Sequence, residues 1–435
     1  MVRTDGNNQS RFGNRSRSDL ERVFRAEHGR VVATLTRRFG DLDIAEEAAQ
    51  EAYLIAAQRW PESGPPPNPG AWLTTTAANR AIDRIRREST RDDKHAQAAM
   101  INDNDDSAET VSSVVDDRLR LMFTCCHPAL ATSAQVALTL RLLGGLSIGE
   151  IASAFFVDEA AMAKRLTRSK QKIKAARIPY RVPPDPELPS RLRGVLATLF
   201  LVFNEGYLPS RPLVDTSVAG GDVVDQPNGP IRTDLCAEAI RLTRILATLM
   251  PDEPEVLGLL ALMLLTDARR ASRFAGGALI ALPDQDRSQW DFGLIAEGHR
   301  IVRACLRRGQ PGRYQILAAI NAVHTDAETS QDTDWRQIVA LYDQLFAVDP
   351  TPVVALNRAI AIAEVDGPTP ALAILDTLHL DGYHAYYAAR ADLLRRAGNS
   401  PAAVQAYRQA LESAGNPAEQ AFLRDRLAEL NPAED

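Results

Sequence analysis

The 435-residue sequence has few cysteines and no long apolar run. Its four cysteines, Cys125, Cys126, Cys236 and Cys305, are too few and too scattered for a disulfide framework, which favours a reducing compartment. No apolar run approaches the roughly 20 residues that span a bilayer. The polar N-terminus also lacks the apolar core of a signal peptide. We therefore expect a cytoplasmic protein with no membrane segment.

Aromatic residues, which favour β-strands, are also scarce. Aromatic residues make up 6% of the chain, whereas alanine, leucine and arginine are abundant, and these residues favour helix over strand. Apolar residues keep helical spacing from Leu20 to Phe39 and again from Ala71 to Glu88. A helix between these two segments has Asp43 as its predicted N-cap. The sequence thus predicts an all-α protein, and its length predicts several domains.

Acidic and basic residues are unevenly distributed, although the formal net charge is only −6. The segment from Ala160 to Arg177 has seven basic residues and no acidic one, whereas the segment from Glu88 to Asp117 is strongly acidic. Because screening limits interactions between exposed charges to roughly 8 Å, local charge decides what each segment can bind. The basic segment can therefore face phosphate, and the acidic, weakly apolar one is predicted to be a flexible linker.

The basic segment belongs to a helix-turn-helix pattern. Ser147 and Glu150 have the spacing of a capping box, and a tight turn is predicted at Val157 and Asp158. The second helix is predicted to bury Met162, Leu166 and Ile173. Its outward residues are predicted to be Lys164, Arg165, Arg168 and Lys172. Such a helix enters the major groove of DNA, where arginine and lysine contact bases and phosphates. A solvated basic face is the alternative interpretation.

The C-terminal part contains a weak repeat. Tyr342, Ile374 and Tyr407 occupy matching places in helical segments 32 and 33 residues apart. This spacing is close to the 34-residue period of tetratricopeptide repeats. An ordinary helical bundle remains the alternative.

Three segments in this order resemble the extracytoplasmic-function (ECF) sigma factors, which retain only sigma regions 2 and 4. They are "AEEAAQEAYLIAAQRW", "WLTTTAANRAIDRIRRE" and "LSIGEIASAFFVDEAAMAKRLTRSK", within residues 19–178. Later strings, including "FLVFNEGY", "YQILAAINAVH" and "LNRAIAIAEVDGP", resemble the large helical, tetratricopeptide-like extension of one subgroup. The predicted domains are a disordered tail at 1–18, region 2 at 19–88, an acidic linker at 89–118, region 4 at 119–178 and the extension at 186–435, with its clearest repeats at 335–430.

The resemblance implies three binding surfaces. The surface for core RNA polymerase, which docks on the coiled coil of the largest subunit, comprises Asp43, Glu46, Glu47, Gln50 and Glu51. The surface for the −10 promoter element comprises Asn68, Trp72, Asn79, Arg80, Asp83, Arg84 and Arg87. The surface for the −35 element comprises Lys164, Arg165, Arg168, Lys170 and Lys172. For Trp72, stacking on a flipped base and packing in the core on Leu73 and Ile82 are both open.

The implied partners are core RNA polymerase, including a second subunit contacted by region 4, and promoter DNA. Docking of the C-terminal extension on regions 2 and 4 is a further hypothesis. We expect no enzyme activity, cofactor or metal, because "TCCHP" at 124–128 lacks zinc-ligand spacing and no nucleophile or phosphate loop is evident. The alternatives are a stand-alone helix-turn-helix regulator with a sensing tail and a scaffold of helical repeats.

Overall fold

The computed structural model describes residues 6–91, 110–155, 157–207, 232–275 and 278–430. The chain divides into two compact units, residues 1–199 and 200–435. The regular elements of the described residues are helices, apart from one short antiparallel pair of strands, which confirms the all-α prediction. No helix among the described residues is both long and apolar enough to cross a membrane.

The first unit contains seven complete α-helices and one π-helix within the described residues. They are α1 (Gly6–Phe39), α2 (Leu42–Ser63), α3 (Pro69–Arg91), α4 (Thr110–Cys125), α5 (Thr132–Leu138), the π-helix (Thr139–Leu143), α6 (Ile148–Ala154) and α7 (Glu159–Ala175). The helix α8 (Leu188–Tyr207) begins in this unit.

The start of α2 differs from the prediction by two residues. Its N-cap is Asp41 rather than Asp43, because the Asp41 carboxylate accepts hydrogen bonds from the backbone amides of Asp43 and Ile44 at 2.8 and 3.2 Å. Asp43 lies in the first turn, where an acidic side chain interacts favourably with the helix dipole. The helix can start this early because Leu42 is buried against the rest of the unit.

The predictions for the N-terminal tail and for the acidic linker agree with the structure only in part. The helix α1 begins at Gly6, so residues 6–18 are helical where the sequence predicts a disordered tail. Extending an existing helix is inexpensive compared with nucleating one, so a polar segment without an apolar face can continue the helix. Residues 110–118 of the predicted linker belong to α4. Residues 1–5 and most of the predicted linker, 92–109, lie outside the described residues.

The helix-turn-helix has the local chemistry that the sequence predicts. Ser147 donates its backbone amide to Glu150 Oε2 at 2.7 Å, and the amide of Glu150 donates to Ser147 Oγ at 3.1 Å, which confirms the capping box. The N-cap of α7 is Asp158, whose carboxylate accepts from the backbone amide of Ala161 at 2.8 Å. The buried face of α7 includes the three apolar residues predicted to point inward, Met162, Leu166 and Ile173.

The second unit is a series of packed helices. After the described end of α8 come α9 (Thr233–Leu249), α10 (Pro254–Asp267), α11 (Phe292–Arg308), α12 (Arg313–Asp326), α13 (Trp335–Val348), α14 (Pro352–Asp366), α15 (Pro368–Leu375), α16 (His384–Arg396), α17 (Ser400–Ser413) and α18 (Pro417–Leu430). The strands β1 (Phe274–Ala275) and β2 (Ala278–Leu279) pair between α10 and α11.

The helices from α13 onward repeat as hairpins. Tyr342 lies in α13, Ile374 in α15 and Tyr407 in α17, so the matching positions fall on the first helix of three successive helical pairs. Each of the three residues packs in or against a separate apolar cluster. The predicted repeat is therefore confirmed as a series of helical hairpins, each with its own small core.

His324 gives this unit a predicted pH response. Burial, together with the positive charges of Arg269 and Arg287, lowers the pKa of His324 to about 4, and its ring packs edge-on against Trp335. Between this pKa and the ordinary value near 6.5, the unfolded chain binds more protons than the folded chain. We expect stability to rise with pH across that window, by up to about 3 kcal/mol, and to level off above it.

The measurement is an NMR titration of the histidine ring signals of the full chain. The signal that is missing from a His324→Gln variant should titrate with a midpoint near 4. A midpoint near the ordinary value would show that the ring is accessible to water.

Candidate functional site

The acidic side of α2 is divided between two neighbours. Glu47 pairs with Arg84 of α3, and Glu51 lies 3.9 Å from Arg80 of the same helix. Glu47 is exposed and Glu51 half-buried. The structure thus brings part of the predicted polymerase-binding face and part of the predicted −10 surface into direct contact along α2 and α3.

Glu46, on the same side of α2, is almost completely covered, with 6% exposure. Arg141 of the π-helix donates its Nε to Glu46 Oε1 at 2.5 Å, and Lys170 of α7 donates its Nζ to Oε2 at 2.9 Å. Lys170 also pairs with Asp43. We call these four residues, Asp43, Glu46, Arg141 and Lys170, the charge cluster.

Glu46 and Lys170, in the middle of the charge cluster, are ionised at neutral pH. Burial raises the pKa of Glu46, but the charges of Arg141 and Lys170 outweigh burial, so the pKa lies below its ordinary value. Burial likewise lowers the pKa of Lys170, but Glu46 and Asp43 more than offset this, and the pKa lies above its ordinary value. The charged hydrogen bonds around Glu46 are therefore largely shielded from water, whereas Asp43 at the edge of the cluster is exposed.

An apolar groove adjoins the acidic side of α2. It has a volume of about 380 Å³ and is lined by Leu20, Phe24, Gln50, Tyr53, Leu54 and Ala57. Leu54 is 64% exposed at its edge, four residues after Gln50. Sequence reasoning missed this feature because it followed the acidic residues. The signal in the sequence is Leu54, which follows Gln50 by four residues and therefore lies on the same side of the helix.

The predicted −10 residues lie on one end and one side of α3. Asn68 caps the helix, since its Oδ1 accepts from the backbone amide of Ala71 at 3.1 Å. Trp72 is half-buried, with its ring edge-on to Trp60 at 5.4 Å between centroids. Farther along the helix, Arg84 is half-buried and the other predicted residues are exposed. The exposed ones are Asn79, Arg80, Asp83 and Arg87.

The predicted −35 residues separate into two groups on α7. Lys164, Arg168 and Lys172 are exposed and follow one another at intervals of four residues, so they form a single stripe. We call these three residues the basic stripe. Arg165 is half-buried beside it, with its guanidinium 5.6 Å from the centre of the Phe155 ring. Lys170 lies outside the stripe, in the charge cluster.

The adjacent cysteines of "TCCHP" are core residues. Cys125 and Cys126 are buried, and burial raises the pKa of both thiols. In the part of the chain that the structure describes, no three His, Cys, Asp or Glu residues are grouped so that they could hold a metal ion.

Comparison with known proteins gives matches to family models and to individual relatives. Residues 23–91 match sigma-70 region 2, and residues 191–306 match a family of unknown function. A probable ECF RNA polymerase sigma factor of Mycobacterium tuberculosis, SigI, is 26% identical over 37% of this chain and 57% of its own length. An ECF RNA polymerase sigma factor of Mycobacterium sp. (strain KMS), SigK, is 29% identical over 32% of this chain and 72% of its own length.

Similarity over nearly the whole chain also occurs. An uncharacterized protein of Rhizobium meliloti is 41% identical over 92% of this chain and 93% of its own length. Among solved structures, a thermophilic TPR protein of Thermus thermophilus covers 46% of this chain and 91% of its own, with 19% identity and a TM-score of 0.33. The match to the Rhizobium meliloti protein spans both the sigma-like segment and the helical extension.

Proposed function

Because the chain belongs to the ECF sigma factors and carries a C-terminal helical extension, we propose that it directs core RNA polymerase to promoters with particular −35 and −10 elements. It also helps to open the DNA and performs no covalent chemistry. The observation that carries the proposal is the exposed basic stripe on a capped helix-turn-helix, in the same chain as a sigma-70 region 2 match.

Polymerase docks on α2. The acidic residues Asp43, Glu46, Glu47 and Glu51, with Gln50, suit arginine and lysine on a helical coiled coil of the largest subunit. The groove beside Leu54 supplies the apolar contact that charged rims alone do not provide. The docking surface therefore combines an acidic face with one apolar anchor.

Region 2 captures the −10 element as single-stranded DNA. The loop that ends at Asn68 receives a flipped base, and Trp72 is available for stacking through its uncovered half. Asn79, Arg80, Arg84 and Arg87 follow the backbone of the strand. Capture of the single strand offsets the stacking energy that is lost on opening.

Region 4 reads the −35 element. The basic stripe enters the major groove, where its residues contact guanine edges and phosphates, and Arg165 lies at its margin. Polymerase supplies most of the grip on DNA, because the chain as a whole carries a net negative charge.

The C-terminal extension is a regulatory or interaction module. Its repeated helical hairpins resemble solenoid proteins, whose extended surfaces bind partners. Docking of this module on regions 2 and 4 would set whether they can engage polymerase.

The test is in vitro transcription with core polymerase on genomic fragments. We expect the full chain to give discrete start sites that core polymerase alone does not give. If the chain neither binds core polymerase nor starts transcription, yet shifts specific DNA alone, it is a stand-alone helix-turn-helix regulator instead.

A further inference from the structure

We propose that the charge cluster is an autoinhibitory contact, in which residues of region 4 occupy the polymerase-docking face of α2 until polymerase displaces them. This inference rests on the proposed function, since it names polymerase as the competitor. It concerns only contacts within the first unit, between α1 and α2 on one side and the π-helix and α7 on the other.

Glu46 is a covered residue of the predicted docking face. It lies in the middle of the predicted docking face, yet its carboxylate is covered by the side chains of Arg141 and Lys170. These two residues follow Glu46 in the sequence by 95 and 124 positions. Lys170 reaches Asp43 as well, so the cations hold two of the five predicted docking residues. A partner cannot reach Glu46 while Arg141 and Lys170 remain in place.

Arg141 and Lys170 have the same chemistry as the expected partner. The docking face suits a partner that presents arginine and lysine, and the charge cluster presents one of each. Removing a buried partner without replacement would leave Glu46 uncompensated and would be strongly unfavourable. A partner that brings its own arginine and lysine restores the pairing, so displacement replaces one set of ion pairs with an equivalent set.

The helix α1 and the π-helix pack closely next to the charge cluster. The backbone of α1 approaches the π-helix so closely that a Cβ at Gly29 would lie 2.8 Å from the carbonyl oxygen of Leu143. Next to it, His28 Nε2 lies 3.2 Å from the carbonyl oxygen of Arg141. The close packing of α1 against the π-helix therefore fixes the position of Arg141 in the charge cluster.

The contact leaves the DNA-reading side of region 4 uncovered. The basic stripe remains exposed on α7, whereas Lys170 and Lys174 are turned to α2, with Lys174 Nζ 3.4 Å from Asp41 Oδ2. The closed arrangement therefore blocks polymerase docking rather than the DNA surface. Release of the contact frees Asp43 and Glu46 together.

The first experiment uses a zero-length carbodiimide on the free full chain, which joins an amine to a carboxylate that it already contacts. We expect a cross-link between Lys174, whose side chain is 83% exposed, and Asp41. A mixture of isotope-labelled and unlabelled chains identifies links within one molecule. A Lys174→Arg variant keeps the charge but lacks the amine, so this link should disappear.

The same link is then measured after core polymerase binds. We expect its yield to fall at least tenfold in the complex isolated by gel filtration. Absence of the link in the free chain, or an equal yield in the complex, overturns the inference. A link in a chain that never binds polymerase refutes autoinhibition and the proposed function together, whereas failure of the link alone leaves the proposed function standing.

A second experiment uses a matched pair of glycine substitutions. Gly29→Ala places a methyl group against the Leu143 carbonyl, whereas at Gly149 the nearest atom to a new Cβ is 3.8 Å away. We expect Gly29→Ala to lower the cross-link yield and to tighten polymerase binding about tenfold, and Gly149→Ala to change neither. Unchanged or weaker polymerase binding by a folded Gly29→Ala chain with a reduced cross-link yield would contradict autoinhibition.

Discussion

Replacing Leu54 by asparagine should weaken binding of core polymerase by about 100-fold, which corresponds to about 2.8 kcal/mol. Leu54 is a large apolar residue that is exposed on α2, at the edge of the groove that adjoins the acidic face. Truncating an anchor at the centre of an interface costs about 2 kcal/mol or more, and burying an unpaired amide adds to that loss. A neutral polar residue leaves the charge balance of the docking face unchanged.

The measurement is an equilibrium titration of fluorescently labelled chain with core polymerase. Because Leu54 is exposed in the free chain, the substitution should leave its unfolding transition nearly unchanged. Leu306→Asn is the matched control, since Leu306 is also a helical leucine and is 66% exposed. Equal affinities for the two variants would show that the groove is not part of the polymerase interface.

The elements that the sequence predicted well are those fixed by local chemistry. The capping box at Ser147 and the buried side of α7 depend on residues three and four positions apart, and both are found as predicted. The repeat in the second unit was also readable, because equivalent residues such as Tyr342 and Tyr407 recur at one helix of each hairpin. Short-range spacing carries this information directly.

The charge cluster could not be predicted in the same way. The family resemblance assigns Glu46 and Lys170 each to a binding surface, but nothing in their local spacing says that they contact one another across 124 residues. Arg141 carries no signal, since it stands in an apolar segment that looks like ordinary core. Long-range pairing depends on how the helices pack, and a charge pattern shows only which side of a helix is polar.

Lys170 illustrates the limit most clearly. The family resemblance groups it with Arg168 in the −35 surface, but two residues along a helix turn a side chain to a different side. The exposed stripe keeps four-residue spacing, whereas Lys170 lies beside the buried face and reaches α2. Fewer candidate −35 residues therefore face in one direction than the number of basic residues in α7 indicates.

Replacing Lys164 and Arg168 together by alanine should reduce initiation at a promoter that depends on its −35 element by about 100-fold. Each side chain lies on the basic stripe, and each interaction that such a helix makes with a base is worth about 1–3 kcal/mol. Binding of core polymerase should be unchanged, because neither residue belongs to the charge cluster or to the docking face. Titration of preassembled complex with promoter DNA at several salt concentrations measures both affinity and its salt dependence.

The salt series separates two roles for the stripe. If the side chains contact phosphates, the removal of two charges should lower the slope of log affinity against log salt by about 2 and weaken all sequences alike. If one of them reads a base, discrimination at one promoter position should also relax. The Arg303→Ala, Arg307→Ala double variant removes two exposed charges at the same four-residue spacing on α11, so it controls for net charge. Equal initiation by both double variants would show that the basic stripe does not read the −35 element and that region 4 meets DNA through another face.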